Sequence, residues 1–600
     1  MVMEQRVKLI LDNYRTKKSG RTQLNQLFEE IAEVLSPERC GFTVTNNYGR
    51  SQARIYDTTP TVAKRGLVNA ISGMLRPKTT NSGYWYNIVP MGDEELIEDP
   101  EVKAWIDNAE EILWKHLYNP ASNFIDTTGE VDDDLVTFGT GCGYVGLRPD
   151  MSGLQFKGFH LNKVYLDVDA LNHVVGVYIR EDLTPRNAAA MFGEDNLGPK
   201  AKERLRQKGA KQRNEKTEYV WWVGQRFKFD PASKANTDMP FASVVIDTES
   251  EHIVEESGFQ ELPFFVPRWD TRSDENGTGF GRGPGTLALP SVLTLNQMGK
   301  TMLRALHRAV DPPWLLPSDS MVNAPQLRPG GVSYYDAKAI RNLGLSKPFQ
   351  QMDSAAQIPW GLNAQTAERE SIMAIFFKNI LNLPLDGPQM TATEVQSRRE
   401  QFVNEIGSVF GSLEGSYNSP MVDRAFNILL RKGAFGPPEA IPEVLQGSEI
   451  QFRFASPVER AKQQIEEAYV TQTMDKVLSI GQVRPEVMER FDFDQYAKYI
   501  ARSNDFPHEL VKSDMVVQQE NEMRAAQMEQ EKNMATMERM APVVEKALRA
   551  TGDNTGGGAE PGAPPGDAGV PAPDVGGGDM QGGLPPELMQ QLQGGMAGGG

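Results

Sequence analysis

The chain has 600 residues, 39% hydrophobic and 24% charged, with a formal net charge of −18. That charge excludes a protein that binds nucleic acid by neutralising phosphates over its whole surface, though not one with local basic rings. Two cysteines, Cys40 and Cys142, exclude a disulfide framework, and no apolar run reaches the ~18 residues of a membrane span. The longest such run, Ile372 to Phe377, is cut by Lys378 and Asn379.

The N-terminal stretch carries charges throughout and has no apolar core of a signal peptide, so a cytoplasmic chain is expected. Leu24, Leu27, Phe28, Ile31, Val34 and Leu35 form one helical stripe within residues 1–37. Ile55–Leu75 continues helical to Pro77. Asp99–Tyr118 is an amphipathic helix closed by Asn119-Pro120, with His116 on its surface, and Val131–Phe138 reads as a short helix before the turn Gly-Thr-Gly-Cys-Gly. The texture then changes. Tyr144–Leu147, Val164–Val168, Val174–Ile179, Tyr219–Phe229, Phe241–Ile246 and Phe264–Trp269 are short, β-branched and aromatic, and predict strands of a β-rich part interrupted by polar helix over 185–211.

Thr286–Val310 returns to helix, with Pro290 tolerable only in the first turn. A loop-rich insert follows Asp311-Pro312-Pro313, and a second helix runs from Asn363 to Leu383. Thr391–Lys432 is a longer helical region with kinks expected at Gly407, Gly411, Gly415 and Pro420. Ile450–Phe454 reads as a strand and 457–550 as charged helix, whose sparse methionines need a neighbouring surface to cover them. Residues 551–600, rich in Gly and Pro with no aromatic residue, are expected to be disordered. The fold class is mixed α+β, mainly α-helical.

No group in the sequence has the spacing of a catalytic, cofactor or metal site. The six histidines are scattered, and Cys142 lacks a nucleophile-elbow context. Asp132-Asp133-Asp134 points to different helix faces and reads as a solvated charge run, not a metal site. The stretch Gly279–Thr301, GFGRGPGTLALPSVLTLNQMGKT, ends in Gly-Lys-Thr, but Thr294 stands where a phosphate-binding loop needs its first glycine. Lys300, Arg304 and Arg308 instead form a basic stripe at four-residue spacing, opposite Leu295, Met298, Met302, Ala305, Leu306 and Ala309. Such a stripe is either a solvated, ion-paired face or a surface for phosphates, and spacing alone leaves both open.

Three ordered segments resemble the head-to-tail connector, or portal, proteins of short-tailed phages. The first is Glu261-Leu-Pro-Phe-Phe-Val-Pro-Arg-Trp269 with Gly279-Phe-Gly-Arg-Gly-Pro-Gly285, Leu295-Asn-Gln-Met298 and Val310-Asp-Pro-Pro313. The second is Met390-Thr-Ala-Thr-Glu-Val395 with Arg398, Arg399 and Glu400. The third is Asp423-Arg-Ala-Phe-Asn-Ile-Leu-Leu-Arg431, and weaker echoes are Ile55-Tyr56-Asp57 and Phe138-Gly-Thr-Gly141.

The resemblance implies a non-enzymatic ring, usually of twelve subunits, at one capsid vertex, without cofactor or metal. Double-stranded DNA passes through it. Terminase, major capsid, scaffolding and tail adaptor proteins are its partners, and no membrane is involved. It assembles in the host cytoplasm and stays in the virion. It also implies a wing (1–285), a first stem helix (286–310), a clip (311–358) and a second stem helix (359–383). A channel loop (384–392), a kinked helix returning to the wing (393–456), a helical crown (457–550) and the disordered tail (551–600) complete the chain. Lys300, Arg304, Arg308 and Gln389 would face the DNA. The rival readings are a packaging ATPase, read from Gly-Lys-Thr, and a capsid or scaffold component that is not a conduit.

Overall fold

The computed structural model describes residues 2–43, 54–76, 84–90, 99–207, 214–226, 229, 235–270, 278–318, 326–336, 350–351, 358–378, 411–437, 440–445, 450–454, 469–480, 484, 490–491, 493–503 and 523. The chain divides into two compact units, Met1–Val511 and Lys512–Gly600. Every element from Val2 to Ser503 belongs to the first. The fold is mixed helix and strand.

Helices α1 (Val2–Gly20) and α2 (Thr22–Leu35) open the chain. The predicted stripe of α2 is its buried face, through Phe28, Ile31, Ala32 and Leu35. Helix α3 (Thr59–Leu75) starts later than expected, and strand β1 (Tyr86–Pro90) follows it. Helix α4 (Pro100–Leu117) is capped by the Asp99 carboxylate, which accepts from the Glu101 amide at 2.9 Å. His116, expected on its surface, is half-buried, and burial lowers its pKa. Helix α5 runs over Phe124–Phe138, two turns longer than the predicted segment, and stops at Gly139 with φ +86°.

Strands β2 (Gly143–Leu147), β3 (Leu154–Gly158), β4 (Val164–Val168) and β5 (Val174–Leu183) come next. Helices α6 (Pro185–Phe192) and α7 (Pro199–Arg206) precede β6 (Thr217–Gln225), β7 (Phe241–Asp247), β8 (His252–Phe259) and β9 (Phe264–Phe265). Strands β4 to β8 form an antiparallel meander in sequence order. Period-two alternation gives it two apolar faces. Tyr178, Val220, Val244 and Ile246 pack on Val7, Ile10, Leu11 and Tyr14 of α1. On the other face Tyr219, Val245 and Val254 pack on Ala188 and Ala201 of α6 and α7. A smaller sheet, β3-β2-β9, belongs to the main core with α2 to α5. The strand expected over Phe264–Trp269 is only two residues long, because Pro267 has no amide to donate.

Helix α8 (Pro284–Val310) has 27 residues, about 40 Å at 1.5 Å per residue. Pro290 lies well inside it, not in the first turn as expected. It sits on the exposed side, so the carbonyl four residues back that it cannot bond faces water. The insert read as loop contains a three-stranded sheet: β10 (Trp314–Ser318) pairs parallel with β11 (Val332–Asp336) and antiparallel with β12 (Gln350–Gln351). Helix α9 (Ile358–Ile375) then runs back along α8. Residues 379–410, with the channel-loop segment, Gln389 and the second resemblance segment, lie outside the described residues, as do most of 457–550 and the tail.

A π-helical turn, Glu414–Asn418, leads into α10 (Ser419–Arg431). It falls where Gly415 and Pro420 predicted a kink; Pro420 cannot bond the carbonyl of Ser416, and the ladder widens locally. Strand β13 (Ile450–Phe454) pairs antiparallel with β1, Tyr86 opposite Phe454. Helix α11 covers Phe493–Ser503.

Asp132-Asp133-Asp134 is not a solvated run. Asp132 and Asp134 are fully buried and Asp133 is half-buried. Because consecutive helix residues diverge by ~100°, each meets a different cation. Asp132 pairs with the buried Arg76, Asp133 with Lys64 at 2.8 Å, and Asp134 with Arg39 through Nε at 2.8 Å. The π-turn delivers Asn418 to the same network, where its Oδ1 accepts from Arg76 at 3.3 Å. Burial raises the Asp134 carboxyl to about 6 against the pull of Arg39.

Candidate functional site: the exposed helix pair

The glycine-rich stretch before α8 is built for backbone contact. A Cβ on Gly283 would lie 2.7 Å from Cα of Gly139, and one on Gly285 would lie 2.2 Å from the carbonyl oxygen of Thr137. The start of α8 therefore sits directly on the end of α5. The Gly281 amide donates to Thr140 Oγ1 at 2.8 Å, and the Trp269 amide donates to the Gly139 carbonyl at 2.9 Å. These glycines cradle protein backbone, not phosphate.

One turn before the basic stripe, Asn296 clamps a distant segment. Its Oδ1 accepts from the Tyr56 amide at 2.8 Å and its Nδ2 donates to the Arg54 carbonyl at 3.0 Å. Gly299 leaves room for Tyr56, whose Cβ would be 3.1 Å from an added methyl. The next residue, Asp57, accepts from the Thr59 amide at 2.9 Å at the start of α3 and pairs with Arg369 of α9 at 2.8 Å. Burial opposes ionisation of Asp57, but the bonds from Thr59 and Arg369 win and hold its carboxyl below the usual range. Both helices are thus fixed at one end. Spacing alone singles out none of Asn296, Asp57 and Arg369; the only signal is the presence of Leu295-Asn-Gln-Met298 and Ile55-Tyr56-Asp57 among the resembling segments.

Beyond this clamp most of the described residues of the pair are exposed or half-buried. Lys300 is half-buried, while Arg304 and Arg308 are exposed. Among the described residues, no carboxylate pairs with any of the three, and within that set the stripe is one continuous unpaired face. Gly299-Lys300-Thr301 is helical, and Thr301 Oγ1 donates back to the Gln297 carbonyl at 2.9 Å, an ordinary helix contact. The side opposite the stripe departs from expectation: Leu295 is buried, but Leu306 and Ala309 are exposed.

The first and third resembling segments also meet. Glu261 bridges Arg424 and Arg431, the latter through both guanidinium nitrogens, and the two cations hold its carboxyl below the usual range against burial. Cys142 is buried and its thiol is pushed well up by desolvation, the opposite of a nucleophile. His160 bonds the Arg39 carbonyl at 2.9 Å and the Asn162 amide at 3.2 Å, and burial lowers it to about 4, so it is a neutral structural group. Among the described residues, no cluster could hold a metal ion and no helix is long and apolar enough to cross a membrane.

The family model for the bacteriophage head to tail connecting protein matches residues 7–511. The chain belongs to that family. It is similar to the portal protein of Salmonella phage epsilon15, with 24% identity over 491 residues, 80% of this chain and 84% of the relative. It is also similar to a probable portal protein of Bordetella phage BPP-1, with 24% identity over 516 residues, 84% and 88% of the two chains. The first and third of the segments that carry the resemblance have physical roles here. The glycines seat a helix on a helix, the asparagine clamps Tyr56, and Glu261 joins two distant arginines.

Proposed function

We propose that this chain is a portal subunit: a ring of about twelve copies at one capsid vertex, through which double-stranded DNA enters and leaves. The family match over residues 7–511 carries this reading. In it, the part before α8 is the wing and α8 and α9 are the stem. Residues 311–358 form the clip, 384–392 the channel loop, and 457–550 the crown. Terminase and tail adaptors dock on the ring, which assembles with capsid and scaffolding proteins in the host cytoplasm and remains in the virion.

The electrostatics suit a conduit. Phosphate contacts are strong, additive and salt-dependent, so a channel that DNA must slide through needs few of them. A chain of net charge −18 with a basic stripe on an exposed helix meets that need. Lys300, Arg304 and Arg308 then become stacked cationic rings, joined by Gln389 from the channel loop.

The chain is read as non-enzymatic, with packaging energy supplied by a separate ATPase. Electron micrographs of the purified protein test the main reading: rings with a central hole support it, and shells or monomers count against it. ATP hydrolysis by the purified chain, lost in Lys300→Ala, would overturn the non-enzymatic part.

A further inference from the structure

Helix α1 is joined to the body by contacts that differ from those of every helix after it. Its apolar stripe, Val7, Ile10, Leu11 and Tyr14, packs on one face of the β4–β8 sheet. None of its described residues belongs to the main core, which begins with α2. Around the stripe, four cations of α1 meet carboxylates on and beside the sheet. Arg6 pairs with Glu256 at 2.6 Å, Arg15 with Glu251 at 3.3 Å, Lys17 with Asp167 at 3.0 Å and Lys18 with Glu218 at 2.8 Å. Tyr14 also donates to Glu218 at 2.9 Å. All of these charged groups are exposed or half-buried, so dissolved ions screen them.

The residue that joins α1 to α2 works against the docked state. Arg21 follows Gly20 and is 1% exposed. Its guanidinium lies over the rings of Phe280, Tyr165 and Phe28, at 4.5, 5.2 and 5.9 Å from their centroids. One nitrogen, Nη1, donates to the Val164 carbonyl, but Nε and Nη2 have no partner among the described residues. No carboxylate there faces it, and burial first, with the nearby cation Arg180 behind it, lowers its pKa to about 10. Ring contacts offset part of the desolvation cost, yet they leave the N–H donors unmet. Tyr165 links this hinge to the strip of contacts above it. Tyr14 of α1 packs on that ring at 5.2 Å in an edge arrangement, and Arg21 lies over the same ring. When α1 lifts, Tyr14 leaves Tyr165 and water reaches Arg21.

We infer that α1 is a releasable strap: its ion pairs with the sheet hold it down, the buried Arg21 at its hinge favours release, and rising ionic strength frees it to uncover the apolar face of β4–β8. The two states differ in what each charge meets, and that difference is what makes the equilibrium responsive. Salt weakens four pairs at once, while release gives Arg21 the hydrogen bonds it lacks. The strap does not depend on the portal reading.

The test follows hydrogen exchange in the full-length chain by mass spectrometry, with α2 as internal reference. The amides of α1 are expected to exchange about tenfold faster in about 0.5 M than in about 0.05 M sodium chloride, while those of α2 keep their rate. Glu218→Gln removes the Lys18 pair and leaves an acceptor for Tyr14, so it should speed α1 exchange at low salt and shrink the response to salt. Arg21→Met keeps a long side chain and removes the charge, so it should slow α1 exchange about threefold at both salt concentrations. An arginine that anchored α1 would do the reverse. Faster α1 exchange in an Arg21→Met chain with unchanged circular dichroism therefore overturns the role of the hinge. Equal α1 rates at both salt concentrations, or α1 and α2 responding together, overturn the strap. That comparison uses the unmodified chain and decides even where a variant does not fold.

Discussion

Two groups of cations in this molecule have opposite surroundings. In the body, Arg76, Arg39 and Lys64 each meet one carboxylate of Asp132-Asp133-Asp134 and are buried or nearly so. On the free end of α8, Lys300, Arg304 and Arg308 have no carboxylate partner among the described residues, and the two arginines are exposed. A buried charge without a partner costs several kcal/mol, so each of these three cations is met by a carboxylate. An exposed charge is already solvated and stays available to an outside anion. Here the three paired, buried cations hold the fold, and the two exposed arginines on α8 stay open to an outside anion.

The largest effect should come from breaking the matched set. Asp132→Ala leaves Arg76 buried and uncompensated, and is expected to cost ~3–5 kcal/mol, read as a lower midpoint in denaturant unfolding. An equal midpoint would mean that the pair is not needed. Next is Gly285→Val, which drives a side chain into the Thr137 carbonyl and is expected to cost ~1–3 kcal/mol by the same assay.

A third prediction concerns pH. Glu110 accepts from the Ile88 amide at 2.7 Å beside β1, and burial lifts its pKa from 4.5 to about 7. Between those values the folded state holds a proton that the unfolded chain has released. Stability therefore falls as pH rises from 4.5 to about 7 and is level above. Glu110→Gln keeps the acceptor and removes the proton, so its melting temperature should decline less across that window and exceed wild type at pH ~8. Parallel curves would sink this.

Smallest in stability is Lys300→Ala/Arg304→Ala/Arg308→Ala, expected to stay within ~0.5 kcal/mol. The same triple change should reduce retention of packaged DNA, measured as protected genome per particle. A large loss of stability would show that the stripe belongs with the matched cations after all.

Local pattern carries the elements that local physics decides. Val164–Val168 and Ile450–Phe454 fall on the predicted residues, and the α2 stripe is its buried face. Strand β8, HIVEESGF, escapes the pattern because, at the sheet edge, it buries only Val254 and Gly258 and leaves its polar residues exposed or half-buried. Strands β10 and β11 escape it because a parallel pair is defined by a partner across a long connection, not by a turn. The aspartate run misleads for a related reason: three charges in a row signal solvent until their partners are known, and Arg76, Arg39 and Lys64 come from three other places in the chain. In the helix pair the basic stripe is legible as periodicity. Its unpaired state and the Asn296 clamp are not, since each depends on what distant residues do or do not cover.

The β1–β13 pair has a consequence for biogenesis. Tyr86 waits for Phe454, and at ~5–20 residues per second the ribosome delivers that partner roughly 20–70 seconds later. Until then β1 presents an open strand edge, a template for mispairing. Arg76 likewise waits for Asn418, 342 residues on. A chain cut short before these residues lacks both, so the core around β1 and Arg76 closes only after the late strand and the π-turn have been made.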